Sequence, residues 1–257
     1  MISIDDLNDW IGVFGVNSDV KTPHLDRLAE EGILFTNAHC QAPICGPSRA
    51  SLLSGLRPST TGVYGQIKDD NLRSVPAFRE IEFLPQYFGK HGYKTLGVGK
   101  IFHGHAPEGV FEVSGGRING FGPKKKFKWH QKGTSTDWGV YPEQDSLMYD
   151  YNYAQWVINQ LEKKHDRPFF MAVGFIRPHV PWYAPQKWFD LYSAEDIILP
   201  NYDPNDLDDL PEIAKEIAFK GMMPTTDWAI KSGEWKNIVQ AYLACISFVD
   251  HQVGTVL

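Results

Sequence analysis

The apolar residues of this chain fall into two kinds of stretch. Some form short unbroken runs, the pattern of strands buried on both faces. Others recur every three or four residues, the pattern of a helix with one face on a core. The first kind includes 95–100, with Leu96-Gly97-Val98 at its centre, and 168–175, with Phe169-Phe170-Met171-Ala172-Val173-Gly174-Phe175, which reads as fully buried. Ile2 to Ile4 reads as the last part of a strand, and 33–39 as strand-like. Helices are expected over 22–32 (apolar at 25, 28 and 29), 47–53, 83–93, 150–164 (153, 157, 161) and 234–256 (238, 239, 242, 246, 249). Pro23 and Pro47 suit first helical turns, and Gly32, Gly55 and Gly92 suit stops. Residues 60–65 and the acidic, Pro-bracketed 203–211 read as loops. Residues 104–142 show no periodicity and read as a long surface excursion. Strands alternating with helices predict an α/β fold, a mostly parallel sheet flanked by helices. No internal repeat and no linker divides residues 1–257, so one unit is expected.

A length of 257 residues with 42% hydrophobic content supports a single large core. The net charge of −6 lacks the basic surplus of a nucleic-acid binder. One basic cluster, Lys124-Lys125-Lys126-Phe127-Lys128, reads either as a solvated loop or as a rim that attracts a sulfated or carboxylated polymer. Three cysteines, at 40, 45 and 245, are too few and too unevenly placed for a disulfide framework. Cys245 lies in an apolar helical run and reads as a packed core thiol. No apolar run approaches the roughly 20 residues of a membrane helix, and no signal peptide is visible. A buried strand ending at Ile4 would need more apolar residues before Ile2, which leads to the expectation that the chain begins upstream.

Polar groups cluster just past the predicted strand ends, where ligands bind in open α/β sheets. Asp5-Asp6 follow the first strand. They read as a turn and helix cap, or as paired carboxylates around a divalent metal. Lys100 and His103 come at the end of the 95–100 strand and His179 after the 168–175 strand. Singly, the lysine could reach solvent and the histidine could be structural. Cys45 opens Cys45-Gly46-Pro47-Ser48-Arg49-Ala50-Ser51-Leu52-Leu53-Ser54-Gly55, placing a thiol at a helix start. There the backbone N–H groups and dipole favour an anion, and Arg49 lies one turn on with a fork of donors for tetrahedral oxygens. The alternative is a buried Cys near a helix cap. Jointly, these groups supply the parts for attack on a tetrahedral sulfur or phosphorus centre.

The pattern Cys-x-Pro-Ser-Arg-x-x-x-x-Ser-Gly resembles the signature of the type I sulfatases. The resemblance extends through Asp5-Asp6-Leu7, Thr22-Pro23-His24-Leu25-Asp26, Gly99-Lys100-Ile101-Phe102-His103, 169–181 and Ser247-Phe248-Val249-Asp250. It is strongest to the branch that includes iduronate 2-sulfatase. It implies an alkaline-phosphatase-like fold and a sulfuric ester hydrolase acting on a sulfated saccharide. It implies that a maturation enzyme converts Cys45 to formylglycine, which with Asp5 and Asp6 binds Ca²⁺ and acts as nucleophile. By position, Arg49 would hold that residue and the sulfate, and Lys100, His103 and His179 would contact the sulfate or the leaving oxygen. In such a mechanism the hydrated aldehyde attacks sulfur while a His or Lys protonates the departing alkoxide. The family's usual location implies a periplasmic, extracellular or lysosomal protein.

The family carries a further metal-binding pair, Asp followed by His or Asn and Gly, which does not occur here. The expectation is therefore either an N-terminal portion of a longer sulfatase whose C-terminal part is missing, or a polypeptide that is inactive as given. The competing functions are a phosphoester or phosphonate hydrolase of the same superfamily, or a truncated chain that binds polyanions without turnover. Trp182-Tyr183 and the aromatic loops are expected to suit sugar stacking.

Overall fold

A computed structural model describes residues 1–124, 127, 136–218 and 223–257. The helices, in chain order, are α1 (Pro23–Glu31), α2 (Cys45–Ser54), α3 (Pro58–Thr61), α4 (Leu84–Lys90), α5 (Tyr149–Leu161), α6 (Gln186–Phe189), α7 (Glu212–Ala218), α8 (Thr226–Ser232) and α9 (Trp235–Val256). The strands are β1 (Ile2–Ile4), β2 (Lys94–Gly99), β3 (Val113–Gly116), β4 (Trp138–Val140), β5 (Phe169–Phe175) and β6 (Trp182–Ala184). A four-stranded sheet has the order β1-β5-β2-β3, and every neighbouring pair is parallel. β4 and β6 form a second, two-stranded parallel sheet.

The central strand β5 shows why its sequence is an unbroken apolar run. Its side chains alternate between faces, and both faces are covered. Phe170 and Ala172 join a cluster with Ala50 and Leu53 of α2, Phe78, Phe83 and Phe102. Met171, Val173 and Phe175 join another with Tyr153, Ala154 and Val157 of α5 and Val249 and Val253 of α9. α9 is buried on further sides as well. Ala241, Ala244, Cys245 and Phe248 pack on Trp138 and Ala184 of the small sheet, and Val239 and Leu243 on Tyr192 and Ile197. Each large apolar side chain buried this way contributes on the order of 1.5–3 kcal/mol, so α9 is the spine between the two sheets.

Because β1, β5 and β2 run the same way, their C-terminal ends share one edge. Ile4 is level with Phe175, and Gly99 with Gly174. The ladder continues one step past the strands: Asp5 N–H donates to Phe175 O at 3.2 Å, and Lys100 N–H to Gly174 O at 2.7 Å. Gly174 permits this approach, since a Cβ there would fall 2.1 Å from Lys100 O. These backbone bonds set Asp5 and Lys100 on either side of the β5 end.

The structure corrects several expectations. Residues 33–39 form no strand, and Ile33 and Phe35 are 84% and 75% exposed. An apolar run becomes a strand only where a neighbouring edge pairs with it, and among the described residues none does. The excursion over 104–142 is not wholly irregular, for it contributes β3 to the main sheet and β4 to the second. β5 is not buried throughout, because Phe169 at its start is 38% exposed. Residues 60–65 overlap the short helix α3. Of the basic cluster, Lys125, Lys126 and Lys128 lie outside the described residues.

Candidate active site

Cys45 is the first residue of α2. The chain enters from extended Ile44, Ser48 N–H closes the first turn on Ile44 O at 3.1 Å, and no side chain caps the helix. The thiol is half-buried between two polar groups, with His103 Nδ1 3.2 Å from Sγ and Gln66 Nε2 donating to Sγ at 3.0 Å. An oxygen function on the same carbon would find the same donor and the same imidazole, so the surroundings fit formylglycine at this position.

One turn along α2, Arg49 points down to the strand ends. Nη2 donates to Asp5 Oδ1 at 2.8 Å, and Nη1 reaches Ser3 Oγ at 3.2 Å, Ile101 O at 3.3 Å and, more closely, Lys100 O. Lys100, fully buried, donates to the other oxygen of Asp5. Burial alone would push the Asp5 carboxyl up, but the Arg49 and Lys100 cations outweigh it and hold Asp5 below the ordinary carboxylate range. Burial lowers Lys100 against the pull of Asp5. Asp6 turns away in the left-handed region, φ 57°, with its side chain 56% exposed. Burial and the neighbouring Asp5 raise it, while His179 pulls it down.

His179 Nδ1 donates to Val180 O at 2.7 Å, which leaves Nε2 as the nitrogen that gains or loses a proton. Nε2 lies 3.6 Å from Asp6 Oδ2 and 4.0 Å from Asp5 Oδ2. Burial, then the Lys100 ammonium, lower the imidazole, and the two carboxylates oppose them. Its flat face lies on Phe121, with ring centroids 4.3 Å apart and planes 9° from parallel.

The residues singled out from the sequence thus form two connected groups. Asp5, Asp6, Arg49, Lys100 and His179 make one, and Cys45 with His103 the other. α2 and the 100–103 segment each contribute to both. Gln66, Phe121 and Arg177 escaped the sequence reading. Gln66 had no strand end to flag it, and an aromatic between glycines resembles any loop. Arg177 lies in the same post-strand segment as His179, and its position there was the available signal. The sugar-stacking expectation fails at Tyr183, which is fully buried, although Trp182 is partly accessible.

For a metal, two adjacent carboxylates are offered, but both Asp5 oxygens are engaged by cations. Among the described residues no group of three or more His, Cys, Asp or Glu is arranged to hold an ion. Ca²⁺ takes about six to eight oxygens, so these residues do not by themselves make a Ca²⁺ site. Also among them, no helix is long and apolar enough to cross a membrane.

Residues 1–257 match the Sulfatase family model throughout. A sulfatase of Formosa agariphila is 51% identical over 271 residues, covering 100% of this chain and 54% of that protein. Iduronate 2-sulfatase of Homo sapiens is 31% identical over 287 residues, covering 100% of this chain and 50% of that protein. The chain spans about half the length of these curated relatives. Among solved structures, the phosphonate monoester hydrolase of Agrobacterium radiobacter superposes with a TM-score of 0.68 at 20% identity, covering 98% of this chain and 57% of that one. That likeness concerns the fold, and the alkaline-phosphatase-like architecture expected from the sequence is the one found. With the family model matched from end to end and a sulfatase 51% identical across the whole of it, the chain belongs to the sulfatase family.

Proposed function

We propose that this chain forms the nucleophile-bearing part of a sulfuric ester hydrolase that releases sulfate from a sulfated carbohydrate. The observation that carries the reading is Cys45 at the helix start, in contact with His103 and one turn from Arg49. Formylglycine, made from Cys45 by a maturation enzyme, supplies an oxygen nucleophile that is regenerated once sulfate has left. His103 is placed to hold or move a proton at the side chain of residue 45. The α2 N-terminus presents uncapped N–H groups to an anion beside it. Lys100 and Arg49 add positive charge on the same side and orient Asp5, while His179 Nε2 is placed to exchange a proton with a leaving oxygen. Asp5, Asp6 and the formylglycine at position 45 would be this chain's share of a Ca²⁺ site that needs further oxygen donors. A substrate of this kind is met in a periplasmic, extracellular or lysosomal setting.

The test uses the full-length protein co-expressed with a formylglycine-generating enzyme. Peptide mass spectrometry should show the Cys45 thiol replaced by an aldehyde. Sulfate release from an aryl sulfate and from sulfated oligosaccharides should be abolished by Cys45→Ala. Faster turnover of an aryl phosphate would reassign the protein as a phosphoester or phosphonate hydrolase. An intact thiol without turnover would leave polyanion binding as its role. Ca²⁺ should raise the melting temperature of wild type and not of Asp6→Asn.

A further inference from the structure

The ring of His179 sits on a proline-rich loop, and the Phe121 ring that covers it sits on Gly120-Phe121-Gly122, which is neither helix nor strand. Arg177 joins the two loops. Its Nη1 donates to Phe121 O at 2.9 Å and to His179 O at 2.7 Å, and Nε donates to Tyr183 O at 3.2 Å. The side chain is fully buried, and among the described residues Nη2 has no hydrogen-bond partner. Nη2 occupies the space a side chain on Gly122 would need, since a Cβ there would fall 2.1 Å from it. The nearby Asp150 carboxylate, also buried, accepts the N–H groups of Ile176 at 2.5 Å and Arg177 at 3.2 Å.

A buried guanidinium with one nitrogen unsatisfied is costly to fold around, and an apolar side chain of similar size would fill the space better. What the guanidinium does that an apolar group cannot is grip the carbonyls of the two residues whose rings are stacked. The Phe121 ring in turn lies 4.4 Å from Lys100 Nζ. We propose that Arg177 is a positioning residue: by tying the Phe121 and His179 backbones together it sets the imidazole plane, and with it where Nε2 points. The catalytic consequence rests on the sulfatase reading, whereas the geometric one does not.

The test uses full-length protein with labelled histidine, and Arg177→Lys, Arg177→Gln and Phe121→Leu variants. Proton NMR locates the His179 ring signals, assigned by their loss in His179→Gln. A stacked phenyl ring shifts protons over its face upfield, so Phe121→Leu marks the unstacked position. Both Arg177 variants should move the His179 signals toward that position. kcat/KM should fall about 100-fold in Arg177→Gln, as for a misplacement near 1 Å, through kcat more than KM. Arg177→Lys should fall between it and wild type. Unmoved His179 signals in a folded Arg177 variant overturn the proposal, as does an unmoved signal in Phe121→Leu. Should the Arg177 variants not fold, Gly122→Ala crowds Nη2 with the arginine in place, and the same criterion applies. Moved signals with no sulfate release from any form, wild type included, overturn the sulfatase reading and leave the clamp standing.

Discussion

Arg49 Nη2 and Asp5 Oδ1 are 2.8 Å apart on side chains 7% and 4% exposed, so a helix start and a strand end are joined by a buried ion pair. Removing one partner of such a pair leaves the other charged and desolvated, which costs about 3–5 kcal/mol. Lys100 still pairs with Asp5, so Arg49→Met should fall at the lower end, about 3 kcal/mol. Urea unfolding checks it. An unchanged midpoint would show that Lys100 alone balances Asp5.

His103 is the imidazole in contact with Cys45. If it moves a proton at that side chain, His103→Ala should lower kcat about 10²–10⁴-fold, the usual range for a lost general acid or base. The KM for an aryl sulfate should change little. Steady-state kinetics on fully converted protein decide, and an unaltered kcat would remove His103 from the proton path.

Gly174→Ala places a methyl group 2.1 Å from the Lys100 carbonyl oxygen, a backbone atom. β2 and β5 would have to separate at their ends, where Lys100 begins. Overpacking of this kind costs about 1–3 kcal/mol. Activity should fall further than that loss accounts for, because Lys100 is displaced from Asp5. Urea unfolding measured alongside turnover separates the two effects.

Burial pushes the Cys245 thiol from 9.0 up to about 12. The unfolded chain therefore loses this proton first, and the folded state binds more protons across that window. Stability must fall as pH rises from about 9 toward 12, by up to about 1.4 kcal/mol per pH unit. Cys245→Ala should lose less stability than wild type over the same range, in urea titrations at stepped pH. Iodoacetamide should label exposed Cys40 in the native protein and Cys245 only after unfolding.

The parts of the molecule that were legible in sequence share a reason. A buried parallel strand needs apolar side chains on both faces, which is why β2 and β5 could be read, and the residues after them had to be polar to be of use. Cys45, Arg49, Lys100, His103 and His179 could be placed because each is tied to a strand end or a helix start. β3 could not be read: Val113-Ser-Gly-Gly carries almost no side-chain pattern, and it joins β2 through the backbone with a register shift at Gly97/Val98. The run 33–39 misled because apolar content measures what a strand could bury, not whether a partner edge exists. Arg177 depends on contacts with Phe121, 56 residues away, and local spacing cannot report such a meeting.

The register of β1 against β5 also sets a clock. Ile4 cannot find Phe175 until that residue has been made, and Cys45 precedes it by roughly 130 residues, about ten seconds of synthesis at common rates. Through that interval the main sheet has no first strand in place, and the Asp5 end of the site has nothing to close against. Residue 45 is thus made well before the strand pair that brings Asp5 to Arg49 and Lys100 can form.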